Sequence, residues 1–165
     1  MRVIVSDSSA LIDLAKANLI EAAFSLPFEF KVPDVLLADE LIDLGPYTVD
    51  KLLATGLVAG SLDGTGVEKA LAYAARYPAL SINDCFALEL AHSGGDVLLT
   101  GDQNLRKAAV AEEIAVHGVI WLCDRMVDHG TVESDQLRSA LEVWDADPSV
   151  WLPRHELQLR IRRLR

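Results

Sequence analysis

LLTGDQNLRKAA, residues 98–109, passes from an apolar run through a charged turn into a helical pattern. The run begins at Val97, and such short apolar runs are typical of buried parallel strands. Asp102 stands directly after this predicted strand, where packing gives no reason for a carboxylate. Asp is also a favoured helix N-cap, so Asp102 on its own is equally consistent with opening the helix that carries Leu105. The rest of the chain decides between these two interpretations.

The same alternation of apolar runs and helical patterns extends along the whole chain. Ser8 or Ser9 is predicted to cap the first helix, and Pro33 is predicted to begin a helix after the second strand. Strands separated by helices predict a three-layer α/β fold with a mostly parallel central sheet, in which ligands bind outside the carboxyl ends of the strands. The predicted strands are residues 3–5, 28–32, 57–62, 97–100 and 114–116.

Length and composition limit the class of protein. The chain has 165 residues, of which 51% are hydrophobic, so it suits one domain with a substantial core. No stretch reaches the ~20 uninterrupted apolar residues of a membrane span, and the N-terminus has no signal-peptide pattern. We therefore expect a cytoplasmic protein with no membrane partner. Cys85 and Cys123 lack metal-ligand spacing and are expected to be reduced, buried thiols.

Charge is distributed unevenly along the chain. Residues 1–152 carry a net charge of −14, whereas residues 153–165 contain five Arg and one Glu and carry +4. An acidic body argues against the broad phosphate neutralisation that is usual in nucleic-acid binders. Nucleic-acid chemistry would therefore draw its positive charge from metal ions, from the basic tail or from a partner. The tail itself is expected to form a packed helix with a solvated basic face.

Two carboxylates, Asp7 and Asp102, each follow a predicted strand directly. Parallel strands bring their carboxyl ends to one edge of the sheet, so both acids are expected at that edge. Two acids at the same edge are harder to explain as helix caps than one acid is.

Two further carboxylates fall where they could join this edge. Glu40, in VPDVLLADELIDL (32–44), lies at the border of an apolar helical face, where the edge of an ordinary amphipathic helix is the alternative explanation. Asp84, in SINDCFALELA (81–91), lies near a helix start, and with Ser81 it also matches a capping pattern. A carboxylate in a first helical turn can still point towards the edge of the sheet.

Together the four acids predict a cation site. Four like charges held close together repel one another and raise each other's pKa. Such a cluster therefore indicates that a cation is bound between the carboxylates. Oxygen ligands suit Mg²⁺ or Mn²⁺ rather than zinc, and these ions polarise a phosphodiester and lower the pKa of a bound water. The four histidines share no spacing with the acids and are expected at the surface or in packing contacts.

Four segments resemble, in order and at ordinary spacing, the motif blocks of PIN-domain nucleases. The resemblance is especially strong to the VapC-type toxins of type II toxin–antitoxin systems. It implies a PIN-like α/β/α nuclease domain over residues 1–130, with residues 131–165 as a C-terminal helical extension packed on the same domain. The four segments are VSDSSALIDLA (5–15), VPDVLLADEL (32–41), SINDCFALELA (81–91) and LLTGDQNLRKAA (98–109).

By this resemblance the chain is an endoribonuclease that depends on Mg²⁺ or Mn²⁺. The residues that map onto the family's catalytic, metal-binding acids are Asp7, Glu40, Asp84 and Asp102. Thr100 matches a Thr/Ser position beside that site, and Ser8 is an accessory candidate. A further acid found in some members has two weak candidates here, Asp96 and Asp124.

The resemblance also implies partners. These are an RNA substrate and a cognate antitoxin protein, whose C-terminal segment would place an Arg or Lys against the carboxylates; a homodimer is left open. Three other functions stay open: a PIN nuclease of RNA processing without an antitoxin, a non-catalytic α/β interaction module whose acids are helix caps, and a phosphatase of the haloacid-dehalogenase type. The phosphatase ranks low because Ser9 stands where a second Asp is expected.

Two further sets of side chains have more than one interpretation. Arg106 and Lys107 lie near enough to Asp102 to meet a substrate phosphate, but they fit a solvated helix face equally well. The three tryptophans are predicted to pack in the core or in a dimer interface rather than to stack on bases. They are Trp121, Trp144 and Trp151.

Overall fold

The computed structural model describes residues 2–39 and 44–165. Within these residues five strands form one sheet in the order β3-β2-β1-β4-β5, and every pair of neighbouring strands is parallel. Helices cover both faces, so the predicted three-layer α/β/α fold with a parallel central sheet is confirmed. The strands are β1 (Arg2–Ser6), β2 (Phe28–Pro33), β3 (Val58–Gly60), β4 (Val97–Leu99) and β5 (Val116–His117).

Helices connect these strands and follow the last one. In the described residues they are α1 (Ser8–Lys16), α2 (Ile20–Phe24), α3 (Asp34–Asp39), α4 (Val49–Thr55), α5 (Gly64–Arg76), α6 (Ile82–Gly94), α7 (Gln103–Ala111), α8 (Val119–His129), α9 (Ser134–Ala146) and α10 (Arg154–Arg163). None of these helices is both long and apolar enough to cross a membrane.

The first helix begins differently from the prediction. Neither Ser8 nor Ser9 is its N-cap; both lie inside α1, and Asp7 caps the helix by accepting a hydrogen bond from the Ala10 N–H at 3.0 Å. Asp is as good a cap as Ser, so the local pattern did not separate these candidates.

Other boundaries also differ from the prediction. Pro33 is the last residue of β2, and the helix that follows, α3, begins at Asp34. A separate short helix, α2, follows Asn18, whose φ of 57° turns the chain out of α1. The last strand starts at Val116 because Ile114 still closes α7, donating its N–H to the carbonyl of Ala109 at 2.8 Å.

The core lies on both sides of the sheet because successive strand residues point to opposite faces. Ile4 belongs to one apolar cluster and its neighbour Val5 to the other, and Leu98 and Leu99 divide in the same way. Helices α5, α6 and α7 supply the cluster around Val5, and α1, α2, α8, α9 and α10 supply the cluster around Ile4.

The C-terminal helices pack on the α1 side of the sheet. The Trp144 side chain in α9 is fully buried, and its indole N–H donates to the carbonyl of Asp13 at 2.8 Å. Leu157 and Ile161 bury one stripe of α10 in the same cluster. The guanidinium of Arg160 holds the Asp124 carboxylate through two hydrogen bonds of 2.9 and 2.8 Å. The tail therefore forms the helix α10, which packs against the α1 side of the core.

The sheet register brings the ends of three neighbouring strands together. The Asp7 N–H donates to the carbonyl of Leu99 at 3.1 Å, and the Thr100 N–H donates to the carbonyl of His117 at 3.0 Å. Asp7, Thr100 and Gly118 thus follow β1, β4 and β5 at one edge, which we call the carboxyl edge.

Candidate active site

Among the described residues, Asp7 is the most deeply buried acid of the carboxyl edge, with 3% of its surface exposed. The Ser9 hydroxyl lies 2.8 and 2.9 Å from the two carboxylate oxygens and donates to the group. The Thr100 hydroxyl donates to Oδ2, and the Ala10 N–H donates to Oδ1. A carboxylate at this depth is stable only because several donors hold it.

Thr100 connects Asp7 to Asp102. Its hydroxyl, which donates to Asp7, also accepts the N–H of Asp102 at 3.0 Å. Asp102 in turn caps α7 by accepting the Leu105 N–H at 3.0 Å. The predicted convergence of two strand-end acids is therefore present, and Thr100 is the residue that joins them.

Burial dominates the electrostatics of Asp7. Removal from water raises its pKa from 3.8 to about 6, against the lowering effect of the hydrogen bonds from Thr100, Ala10 and Ser9. The negative charge of Asp84 raises the pKa further. In the described part of the chain, the groups that favour the charged form of Asp7 are thus hydrogen-bond donors and not cationic side chains. A bound cation would offset the free-energy cost of burying this charge.

Asp84 occupies the first turn of α6. It completes a capping box with Ser81: the Ser81 N–H donates to Asp84 Oδ2, and the Asp84 N–H donates to the Ser81 hydroxyl, both at 3.0 Å. The capping pattern seen in the sequence is therefore real. The negative charge of Asp84 also contributes, as the smallest cause, to the raised pKa of Asp7.

The described residues contain only part of the predicted acid set. Glu40 lies outside them, so its predicted place at the site stays a prediction. Within residues 2–39 and 44–165, no three His, Cys, Asp or Glu side chains come together as a formed metal site. The oxygen chemistry of Asp7 and Asp102 still fits a hard divalent cation, and the desolvated, unneutralised carboxylate of Asp7 is the observation that favours one.

The two candidates for a further acid lie elsewhere. Asp96 precedes β4 and so stands at the opposite, amino edge of the sheet. Asp124 is paired with Arg160 in the contact between α8 and α10. Neither belongs to the carboxyl edge.

Asp13 is a site residue that the sequence prediction missed. Partial burial raises its pKa to about 6, against the charge of Lys16, while Asp147 raises it further. A Cβ built on Gly101 would lie 3.5 Å from the Ser9 hydroxyl and 3.7 Å from Asp13 Oδ2, so both side chains face the loop between β4 and α7. The available signal was the spacing of Ser9 and Asp13, since residues four apart share one helix face.

Ser9 does not cap α1 as predicted but connects two segments of the carboxyl edge. Its hydroxyl donates to Asp7 and accepts the Gly101 N–H at 3.1 Å. It therefore ties the start of α1 to the loop that carries Asp102. Ser8, the accessory candidate, lies beside it in the first turn of α1 and is half-buried.

Two clefts flank the loop at residues 100–103. The first, of about 440 Å³, is lined by Asp13, Asp102 and Asn104 among others. The second, of about 310 Å³, is lined by Arg106 and His117 among others. Both clefts include Gly101, Gln103 and Trp151 in their walls, so they meet at one place.

Arg106 of α7 supplies a positive charge to the second cleft. The half-buried Arg106 packs over Gly118, where a Cβ would lie 3.1 Å from its Nη2 and 3.6 Å from the Thr100 carbonyl. Burial and nearby positive charges, Arg106 included, lower the pKa of His117, whose ring stacks on Trp121 at 4.1 Å. Of the two predicted phosphate contacts, Arg106 thus lines the edge, while Lys107 is exposed on α7.

Comparison with known proteins identifies a relationship over nearly the whole chain. A family model described as a PIN domain, DUF3368, matches residues 3–165, which include the β1–α1 junction, the α6 turn and the β4–α7 loop. No curated protein matches the chain.

Proposed function

Because the chain belongs to the PIN-domain family, we propose that it is an endoribonuclease that uses Mg²⁺ or Mn²⁺ to hydrolyse RNA phosphodiester bonds. PIN domains are generally nucleases, so the nuclease class follows from membership. The observation that carries the metal-dependent mechanism is the buried Asp7 carboxylate, joined through Thr100 to Asp102 at the carboxyl edge.

The metal-holding residues in this proposal are Asp7, Glu40, Asp84 and Asp102. A divalent ion bound there would polarise the phosphodiester and lower the pKa of a water to generate the nucleophile. The raised pKa of Asp7 fits this role, since a cation restores the charged form that burial disfavours.

The other side chains of the edge position these acids. Thr100 and Ser9 donate to Asp7 and so orient its oxygens. Thr100 also accepts the N–H of Asp102, which holds the second acid in register with the first. Arg106 supplies a guanidinium beside the loop, and a guanidinium can bind a phosphate oxygen of the substrate through charge-assisted hydrogen bonds.

A non-catalytic interaction module is the competing function, and one observation favours it. Asp7 and Asp102 are helix N-caps and Asp84 completes a capping box with Ser81, so each acid has a structural role of the kind that this alternative requires. The burial of Asp7 argues against it. Ser or Asn would cap α1 equally well without placing a carboxylate where its charged form is disfavoured.

Cleavage of RNA by the purified chain tests the proposed function. We expect hydrolysis of single-stranded RNA with Mg²⁺ or Mn²⁺ and none in chelator, with single-stranded DNA of the same sequence as the matched substrate control. The measurement is the appearance of shorter RNA products with time. Activity that persists in chelator would exclude the metal mechanism, and absence of cleavage with both ions would exclude the nuclease proposal.

Within this function we propose that the chain is the cytoplasmic toxin of a toxin–antitoxin pair. Its support is the resemblance of the four motif segments and the net charge of −14 on residues 1–152 around a carboxylate edge. A basic segment of a small partner would place Arg or Lys against Asp7 and Asp102, blocking the clefts and neutralising their charge. A nuclease of RNA processing would have no such partner.

Co-expression with the product of a small neighbouring gene tests the toxin role. We expect the two proteins to co-purify and the partner to inhibit cleavage of RNA, with recovery of activity after the partner is removed. Substituting the Arg or Lys residues of the partner's C-terminal segment should abolish inhibition, since the charge pairing depends on them. A partner that neither co-purifies nor inhibits would leave an RNA-processing nuclease as the function.

A further inference from the structure

Trp151 is exposed over 84% of its surface at the carboxyl edge. It lies in the connection between α9 and α10, and it lines both clefts together with Gly101 and Gln103. The prediction that the tryptophans pack in the core is therefore wrong for Trp151, and its packing in a dimer interface stays a prediction. Trp144 is fully buried in α9, whereas the Trp151 indole borders the loop that carries Asp102.

The connection that carries Trp151 is anchored even though the indole is not. The Lys16 ammonium donates to the Ser149 hydroxyl at 2.8 Å, and Ser149 donates its N–H to Asp147 at 2.9 Å. Val150 is buried, and its N–H donates to the carbonyl of Asp147 at 3.2 Å. The backbone before Trp151 is thus tied to α1, which reduces the entropy lost when a ligand contacts the ring.

The two clefts beside the indole combine apolar walls with a few polar groups. The first cleft offers the Asn104 amide and the Ser149 hydroxyl, and the second offers the Arg106 guanidinium. Among the described residues Arg106 makes no ion pair with a carboxylate, so its charge is available. An aromatic face between hydrogen-bonding groups and a cation is the combination with which proteins hold single-stranded nucleic acid.

We propose that Trp151 is a stacking platform for one nucleobase of a single-stranded RNA substrate, next to the bond that is cleaved. The inference rests on the proposed nuclease function. In this arrangement the base lies on the indole, its edge meets the polar groups of the first cleft, and the flanking phosphate approaches Arg106. Stacking does not discriminate strongly between bases, so Trp151 contributes affinity for unpaired RNA rather than sequence specificity.

Three observations favour a nucleobase over a protein surface as the occupant. The indole borders the loop that carries Asp102, because Gly101 and Gln103 of that loop line the same two clefts as Trp151. The second cleft is lined by Arg106 and by Glu156. Glu156 is paired with Arg160 at 2.6 Å, which leaves the Arg106 guanidinium to meet a phosphate. The apolar residues beside the ring, Ile120, Trp121 and Leu152, are half-buried in the wall of the second cleft, whereas the exposed Leu71 and Val110 lie on α5 and α7.

Fluorescence titration of the full chain with a short single-stranded RNA in chelator tests the stacking. We expect RNA to quench the tryptophan emission and Trp151→Phe to remove most of the quenching while retaining most of the affinity, the remainder coming from Trp121 in the second cleft. Trp151→Ala should weaken binding by about tenfold. Leu71→Ala is the matched control, an exposed apolar side chain away from the edge, and should bind as the wild type does. The same RNA annealed to its complement should not quench, because its bases are already stacked.

Cleavage kinetics separate the substrate platform from a structural role. With Mg²⁺ or Mn²⁺, Trp151→Ala should raise KM about tenfold with little change in kcat, and Trp151→Phe should restore KM. An RNA with an abasic ribose at the stacked position should be cleaved equally by the wild type and Trp151→Ala. The thermal melting of the variants should match the wild type, since the ring is exposed.

The outcomes distinguish this inference from the proposed function. Quenching through Trp151 without any cleavage by the wild type would support the platform and overturn the nuclease proposal. Normal cleavage and binding by Trp151→Ala would overturn the platform and leave the nuclease intact. Loss of a dimer in Trp151→Ala, with RNA binding unchanged, would assign the ring to a contact between two copies and overturn the inference as well.

Discussion

Asp7→Asn is expected to lower the rate of metal-dependent RNA cleavage by more than about 100-fold. Replacing a residue that only hydrogen-bonds to a metal ligand already lowers metal affinity or activity by about 10–100-fold, and Asp7 is proposed to be a ligand itself. Asparagine retains an oxygen that can accept the Ala10 N–H, and it is a good N-cap, so α1 should still form. What the variant loses is the negative charge that holds a cation. The measurement is the initial rate of cleavage at saturating Mg²⁺ or Mn²⁺, with Asp102→Asn expected to fail in the same way.

The same variant is expected to be more stable than the wild type in chelator at neutral pH. The pKa of Asp7 is raised from 3.8 to about 6 in the folded protein, so the folded state binds its proton more tightly than the unfolded state does. Stability therefore falls as pH rises from about 4 to about 6 and stays reduced above that range, by about 3 kcal/mol for this group. Asparagine does not ionise, so its advantage should disappear as the pH falls towards 4.

Urea unfolding across this pH range measures the effect. Added Mn²⁺ should stabilise the wild type, since an ion that binds the folded state alone contributes about 2.7 kcal/mol at 100 times its Kd. Asp7→Asn should lose most of this response. A variant that cleaves RNA as well as the wild type, or that Mn²⁺ stabilises equally, would remove Asp7 from the site and favour the interaction module.

Asp63→Asn is the matched control for these experiments. Asp63 caps α5 by accepting the Gly66 N–H at 2.7 Å, so it plays the same local role as Asp7. It is exposed and follows no strand of the carboxyl edge directly. We expect its replacement to change neither cleavage, nor the response to Mn²⁺, nor the pH dependence of stability.

Truncation after Leu152 is expected to destabilise the chain by at least about 4 kcal/mol, because the loss of a buried leucine or isoleucine side chain alone contributes about 2–5 kcal/mol. Leu157 and Ile161 are 1% and 6% exposed, and both would be removed. The Arg160 partner of Asp124 would be lost as well. Domains of this size are stable by about 5–15 kcal/mol, so the truncated chain should be marginally folded or unfolded at physiological temperature.

Denaturant unfolding of the truncated chain measures this loss, and Leu157→Ala provides a milder variant where the truncated chain is insoluble. Replacement of Arg162, Arg163 and Arg165 by Gln is the control. These side chains are exposed, so stability should change by less than about 0.5 kcal/mol each. The competing role for the tail is RNA contact. Unchanged stability after truncation, with weaker RNA binding and a flatter salt dependence, would establish that role instead.

The amino-acid sequence was sufficient to predict the parallel sheet and the place of Asp7 and Asp102 at one edge. Short apolar runs, helical spacing and the connection of parallel strands by helices are local signals. The strands and helices that they predict are present in the folded chain. The capping box of Ser81 and Asp84 was predictable for the same reason, since both residues lie within one turn. Contacts between neighbours in sequence need no knowledge of the rest of the molecule.

Tertiary packing decided the features that depend on distant segments. The burial of Asp7, which raises its pKa, is one of these features, and so is its hydrogen bond from Thr100, 93 positions away in the chain. Trp144 and Trp151 stand seven positions apart, yet one is enclosed by the α1 side of the core and the other is exposed beside the Asp102 loop. Burial is set by which elements pack against a residue, and that depends on contacts across more than a hundred residues of chain, such as Trp144 to Asp13.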